Sequence, residues 1–222
     1  MIEGVIFDFD GTLIDSEPMW NQAGIDVFRN EGVELTHDDV VEAKGLASYE
    51  SVALFLTKVE KPTRSIAEIT ADINKHVIDV VKEGVELKPG VRDVLDFIAQ
   101  KNIPMAICSS SPFRLIQEAV EKLDIKSYFK FLYSSDFERH GKPHPGIYIS
   151  TAKKLDVNPI RCMAFEDSFN GILAAKAARI RTVALLDEGQ FNDTKYDFAD
   201  LKIESFNNFG SAEYDFMSSL IK

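Results

Sequence analysis

Two aspartates, Asp8 and Asp10, stand on either side of Phe9 directly after the apolar run Val5-Ile6-Phe7, and Gly11 follows them. The apolar run reads as a buried strand. Side chains alternate along a strand, so both carboxylates leave its C-terminal end on the same side. Gly11 permits a tight turn and a close backbone approach. Two carboxylates this close repel each other and are costly to bury. They become useful when a divalent cation neutralises them, or when their surroundings push their pKa values apart for separate roles.

The same arrangement recurs later in the chain. Glu166 and Asp167 follow the apolar run Cys162-Met163-Ala164-Phe165 and precede Ser168 at the start of a helical pattern. Oxygen donors gathered from two strand ends suit a hard cation, and Mg2+ is the expected one. Ser109-Ser110-Ser111 closes another apolar run. Hydroxyls and backbone N–H groups at such a turn can hold an anion. Lys142 lies in Gly141-Lys142-Pro143-His144-Pro145, a loop stiffened by two prolines. A lysine fixed there can pair with a phosphate and with an anionic nucleophile. His140 and His144 have no cysteine near them and are read as non-ligands.

These residues need a scaffold that brings strand ends together. From 16 to 83 the pattern is helical throughout. Ser16 reads as a cap and Pro18 as a first-turn residue, followed by a stripe of Trp20, Ala23, Val27 and Phe28. A short helix follows Thr36. Ser48 opens another, with Val52, Phe55, Leu56 and Val59, and Thr63 or Ser65 opens a fourth, with Ile66, Ile69, Ile73, Val77, Val80 and Val81. Leu87-Lys88-Pro89-Gly90 punctuates the chain, and a new regime begins. Strand-like runs at Met105–Cys108, Phe131–Tyr133, Cys162–Phe165, Thr182–Leu186 and Leu201–Ile203 alternate with helical segments. That alternation predicts crossover units and a parallel sheet. The expected fold is therefore α/β: a doubly wound, Rossmann-like parallel sheet core formed by 1–15 and 84–222, interrupted by an all-helical insert at 16–83. Ligands of such sheets bind beyond the carboxyl ends of the strands, where all four motifs fall. The segment Asp187 to Asp200 reads as a polar connecting loop near that end.

The 222 residues carry a formal net charge of -11. That balance argues against a nucleic-acid or anionic-membrane partner but not against a small anionic substrate. Cys108 and Cys162 each sit in an apolar run and read as buried free thiols of a reducing compartment. No basic leader and no run of membrane-spanning length is present, so a cytoplasmic protein is expected. A monomer is the expected state.

Taken together and in order, Asp8-Phe9-Asp10-Gly11-Thr12, Ser109, Lys142 in Gly-Lys-Pro, and Glu166-Asp167-Ser168 resemble the four motifs of the haloacid dehalogenase-like superfamily. The resemblance spans essentially the whole chain, and the helical insert is similar to the small cap of that superfamily's phosphoglucomutase and phosphatase branch. It implies that Asp8 is a nucleophile forming an aspartyl-phosphate, and that Asp10 is the general acid and then the general base. It further implies that Asp8, the carbonyl of Asp10, and Asp167 bind Mg2+, with Glu166 as a ligand or a support. Gly11, Ser109, Ser110 and Lys142 would hold the phosphoryl group. Glu17, Trp20, Lys44 and Gly45 of the cap would meet the leaving group, Trp20 by stacking on a sugar or by packing cap on core. The run Asp15-Ser16-Glu17-Pro18-Met19-Trp20 leans toward phosphatases of deoxyglucose or hexitol phosphates. The alternative enzyme, a β-phosphoglucomutase, carries a histidine where this chain has Trp20 and an arginine where it has Tyr49. An inactive phosphate-binding module is the third reading, and it would be expected to lack Asp8 or Asp10.

Overall fold

The computed structural model describes residues 1–221. Six strands form one sheet: β1 (Gly4–Phe7), β2 (Met105–Ser109), β3 (Phe129–Ser134), β4 (Cys162–Glu166), β5 (Arg181–Leu185) and β6 (Leu201–Ile203). Their order is β3-β2-β1-β4-β5-β6, and every pairing is parallel. This is the expected doubly wound sheet. The chain winds outward from β1 to β3, then crosses back to β4 and winds the other way. The crevice beside β1 and β4 is thus the switch point, where such sheets bind ligands.

Helices α1 (Glu17–Asn30), α2 (His37–Glu42), α3 (Ser48–Leu56), α4 (Ile66–Glu83) and α5 (Val91–Gln100) lie between β1 and β2. The remaining helices are α6 (Phe113–Lys122), α7 (Gly146–Leu155), α8 (Phe169–Ala177), α9 (Glu188–Phe191) and α10 (Ser211–Ser219). Both strands that flank β1 are wholly buried, as is β1 itself. Their short apolar runs lack alternation for that reason: helices cover both faces. Phe7 stacks on Phe165 with ring centroids 4.9 Å apart, which locks β1 to β4 just below the site.

The helical insert has its own apolar seam. Helix α4 buries Ile69, Ile73, Val77 and Val81 on one stripe and packs against α1 and α3. Ser65 begins it: the Glu68 N–H donates to Ser65 Oγ, and the Ser65 N–H donates to Glu68 Oε2 at 2.8 Å. Such a reciprocal cap is worth about 1 kcal/mol. The two strands of chain joining insert to core pair with each other, Ile14 against Leu87, and the Lys88 N–H donates to the Leu13 carbonyl at 2.9 Å.

Three local expectations change. Ser16 does not cap α1 with its side chain, because its hydroxyl is engaged by Asp10. Strand β3 begins at Phe129, two residues earlier than its apolar run suggested, because exposed Lys130 interrupts the pattern. The stretch from Asp187 to Asp200 is not a loop throughout: it contains α9 and a 3-10 turn at Thr194–Tyr196, anchored by buried Tyr196.

Candidate active site

Asp8 emerges from β1 between the ends of β2 and β4, and its N–H donates to the Phe165 carbonyl at 3.0 Å. It is almost fully buried, at 5% exposure. Lys142 is buried beside it and donates to Asp8 Oδ1 and Glu166 Oε1, each at 2.5 Å. Burial raises the Asp8 pKa, and the neighbouring Glu166 carboxylate raises it further, against the pull of Lys142. Burial opposes the charge on Lys142, but Asp8 and Glu166 outweigh it and push the ammonium pKa up. Lys142 is therefore a fixed cation under the Asp8 carboxylate.

Glu166 is a different kind of acid. Its Oε1 accepts from Lys142 and from the Tyr148 hydroxyl at 2.8 Å. Its Oε2 accepts from the N–H groups of Asp167 and Ser168 and from Ser168 Oγ. Five donors thus surround a side chain with no exposed surface. Tyr148, one turn into α7, carries no sequence signal for this role; only the packing of α7 on β1 and β2 brings it there.

Asp10 sits among neutral donors. Its Oδ1 accepts from Ser16 Oγ at 2.7 Å and from the Trp20 indole N–H at 2.9 Å. Its Oδ2 accepts from Ser109 Oγ at 3.0 Å and from Ser111 Oγ at 2.6 Å. Trp20 is therefore neither a bare stacking surface nor simple packing: it is a hydrogen-bond donor from the insert to a core carboxylate. Ser111 was legible only as a member of the triple serine run. Ser109, expected at a phosphate, faces Asp10 and accepts the Ser111 N–H at 2.9 Å. Ser110 donates to the Gly45 carbonyl at 3.0 Å.

Asp167 completes the acidic group. Its Oδ1 accepts from Thr12 Oγ1 at 3.0 Å. Its Oδ2 is buried without a regular hydrogen bond and is ion-paired with Lys44 Nζ, 2.9 Å away. Gly11 passes directly against this carboxylate with φ +73°; a Cβ there would overlap the Asp167 oxygens, so only glycine fits. Lys88, read as linker, donates to the Gly11 carbonyl at 2.8 Å and ties the linker to the same turn. Donor atoms of Asp8, Glu166 and Asp167 lie within 4.8 Å of one another. The set is all oxygen and includes one buried atom without a hydrogen bond, which fits a hard divalent cation. His140 and His144 lie elsewhere, with ring centroids 5.3 Å apart, and His144 Nδ1 accepts the Gly146 N–H.

The segment from Lys44 to Glu50 docks the insert on three core loops. Lys44 bridges Asp167 and Glu17, at 2.9 and 2.5 Å. Its carbonyl accepts from Asn170 Nδ2 at 3.2 Å. Gly45 adopts φ +82° with its α-carbon packed on Ser168, where a side chain would collide. Glu50 accepts the Gly141 N–H at 3.3 Å, beside Lys142. The four insert residues singled out from sequence, Glu17, Trp20, Lys44 and Gly45, all line one cavity of about 190 Å³ together with Asp8, Asp10, Ser109, Ser110, Lys142 and Asp167. Gly11 and Glu166 stand behind that wall.

Comparison with known proteins places this geometry in a wider setting. Residues 2–179 match the family model described as haloacid dehalogenase-like hydrolase. Hexitol phosphatase B of Escherichia coli (strain K12) is 33% identical over 205 residues, covering 92% of this chain and 92% of that protein. The phosphorylated carbohydrates phosphatase of Thermotoga maritima is 32% identical over 182 residues, covering 82% of this chain and 84% of that protein. The crystal structure of CbbY from Rhodobacter sphaeroides in complex with phosphate superposes with a TM-score of 0.87 at 27% identity, over 97% of this chain and 100% of that one.

Proposed function

The chain belongs to the haloacid dehalogenase-like hydrolases, and on that premise we propose that it is a Mg2+-dependent phosphatase of a sugar or sugar-alcohol phosphate, working through an aspartyl-phosphate on Asp8. One observation carries this reading. Asp8 and Asp10 open onto one cavity from adjacent positions, yet one lies against a buried ammonium and the other is held by four neutral donors.

Asp8 attacks phosphorus with a carboxylate oxygen, and the bond to the leaving oxygen breaks. Asp10, protonated in the Michaelis complex with one of its serine hydroxyls turned to accept, gives its proton to that oxygen, releasing the alcohol. Water then attacks phosphorus, Asp10 takes the water's proton, and the acyl-phosphate bond breaks to restore Asp8 and free inorganic phosphate. Lys142 offsets negative charge on the transferring group and on Asp8 throughout. A divalent cation held by Asp8, Asp167 and the Asp10 carbonyl would lower the charge barrier between two anions. Glu166, saturated with donors, fits better as the group that holds Lys142 in place than as a ligand. Residues 16–83 serve as the cap that closes over the leaving group and excludes bulk water. The enzyme acts in the cytoplasm as a monomer, its lid supplied by its own chain.

The names of the two relatives support a carbohydrate phosphate over other esters. The test is phosphate release with Mg2+ from hexose, hexitol and deoxyhexose phosphates and from β-glucose 1-phosphate, beside an Asp8→Asn control. Release that requires Mg2+ and vanishes in the control is expected. Conversion of β-glucose 1-phosphate to glucose 6-phosphate without net release would replace the phosphatase with a mutase.

A further inference from the structure

The cavity changes character from one end to the other. Helix α1 presents Glu17, Trp20, Asn21 and Gly24 to it, and α3 presents Ser48, Ser51, Val52 and Phe55. Both sets are i, i+3, i+4 and i+7, a single face of a helix. Both helices start at the core: Trp20 reaches Asp10, and Ser48 follows the Gly45 contact with Ser110. Seven residues advance about 10 Å along a helix. Over that length each face passes from polar groups to groups with no polar side-chain atom. Val40 of α2 and Ile73 of α4 add carbon-only lining to the same cavity. Phe55 is held there by an edge-to-face contact with Phe28 at 5.4 Å.

Charge follows the same gradient. Among the described residues, the cations lining the cavity are Lys44 and Lys142, and each is already held between two carboxylates. No cation lines the far end to receive a second phosphate or a carboxylate. An anion pushed there would lose its hydration without a partner, which is costly. The five C–C bonds of an open six-carbon chain advance about 1.3 Å each, about 6.5 Å in all, which matches the roughly 6 Å along α3 from Ser48 to Val52, so a six-carbon alcohol esterified at the core end reaches the start of the apolar wall.

Resting on the phosphatase reading above, we propose that the substrate's alcohol is an uncharged six-carbon sugar or polyol, hydroxylated next to the ester and deoxygenated at the opposite end. A 6-deoxyhexose 1-phosphate or a 6-deoxyhexitol 1-phosphate has this shape. A hydroxyl at the far carbon finds no hydrogen-bond partner, whereas a methyl fills the apolar wall.

The experiment measures kcat/KM for matched triples in the glucose, galactose and mannose configurations: the 6-deoxyhexose 1-phosphate, the hexose 1-phosphate and the 1,6-bisphosphate. Acetyl phosphate, too short to reach the far wall, runs beside them. For the preferred configuration the 6-deoxy ester is expected to exceed its hydroxylated parent by about ten- to a hundredfold, with the bisphosphate inert. The Val52→Thr protein, which sets a hydroxyl in the far wall at unchanged shape, is expected to narrow that ratio. Equal or better turnover of the parent or the bisphosphate overturns the proposal, as does cleavage of acetyl phosphate with no hexose ester hydrolysed. If acetyl phosphate is also untouched, the phosphatase reading itself fails.

Discussion

At the core end of the cavity, Lys142 lies between Asp8 and Glu166, and Asp167 points a buried oxygen with no hydrogen bond toward the same space. At the cap end, Val52, Phe55 and Ile73 present only carbon. The core end is an electrostatic device whose charges are fixed before any ligand arrives, which is what stabilising a phosphoryl transfer requires. The cap end is apolar, and on the reading proposed above it would select by shape and by the absence of charge. Two of the links that join them end on the catalytic acids: Trp20 donating to Asp10, and Lys44 pairing with Asp167. The division locates chemistry in the sheet and choice in the insert, and it can be broken at defined points.

After the Asp8→Asn control, the largest effect is expected at Asp10. Asp10→Asn keeps the size and removes the proton donor, so kcat for alkyl phosphates should fall by about 10² to 10⁴-fold. Transfer of the phosphoryl group from acetyl phosphate to Asp8 in a single turnover, where acetate leaves without a proton, should suffer far less, while hydrolysis of the intermediate still needs Asp10 as base. Equal losses on both esters in that single-turnover step would mean that Asp10 does not act as the leaving-group acid.

Lys142→Met tests the core's reliance on charge. Removing the lysine leaves Asp8 and Glu166 buried without their counter-ion, and breaking such a pair costs about 3 to 5 kcal/mol. Urea unfolding of the metal-free protein should register the loss, and activity should fall with it. The cap variant Val52→Thr should leave core electrostatics alone. A Lys142→Met protein as stable as the parent would show that the carboxylates are relieved some other way.

The core half of this comparison was legible from sequence because its chemistry is local. Three of the four motifs lie within a few residues of a strand end, and a parallel sheet brings strand ends together; Lys142 comes eight residues after Ser134, the last of β3, in the loop its prolines stiffen. Asp8, Asp10, Lys142 and Asp167 all line the cavity as that logic requires. The cap half was legible only as helices. Its stripes of apolar residues read as packing, and nothing in the spacing of Val52 and Phe55 separates a cavity wall from a core. Tyr148 and Glu50 were invisible for a related reason: their partners, Glu166 and the Gly141 N–H, lie 18 and 91 positions away. Ser16 read as an ordinary cap because a serine before a helix is common, while its actual acceptor depends on where Asp10 turns.

Trp20→Phe probes the link between the two ends with a smaller effect. The ring volume is largely kept while the N–H that Asp10 accepts is lost. A hydrogen bond to a charged group is worth about 1.5 to 3 kcal/mol, and three serine hydroxyls still hold the carboxylate. About a tenfold fall in kcat is expected for an alkyl phosphate, with KM changed less and single-turnover phosphoryl transfer from acetyl phosphate spared. A shift confined to KM would make Trp20 a substrate contact rather than a positioning residue for the acid.

The smallest effect should come from Asp39, which belongs to the insert but not to the cavity. Lys58 lies 2.6 Å from it and the Thr36 N–H donates to it at 2.8 Å. The Lys58 contact and the Thr36 N–H hold its pKa down at about 2. A carboxylate depressed in the folded state stabilises above its unfolded value, near 3.9, and loses that contribution as the pH falls through the folded value. Asp39→Asn keeps an oxygen for Thr36 and removes the charge. Its melting temperature should therefore lie slightly below the parent's at pH 6, and the gap should close between pH about 4 and about 2. A gap that persists unchanged at pH 2 would assign the contribution to hydrogen bonding alone. Phosphatase selectivity should not move in either case, because Asp39 does not line the cavity.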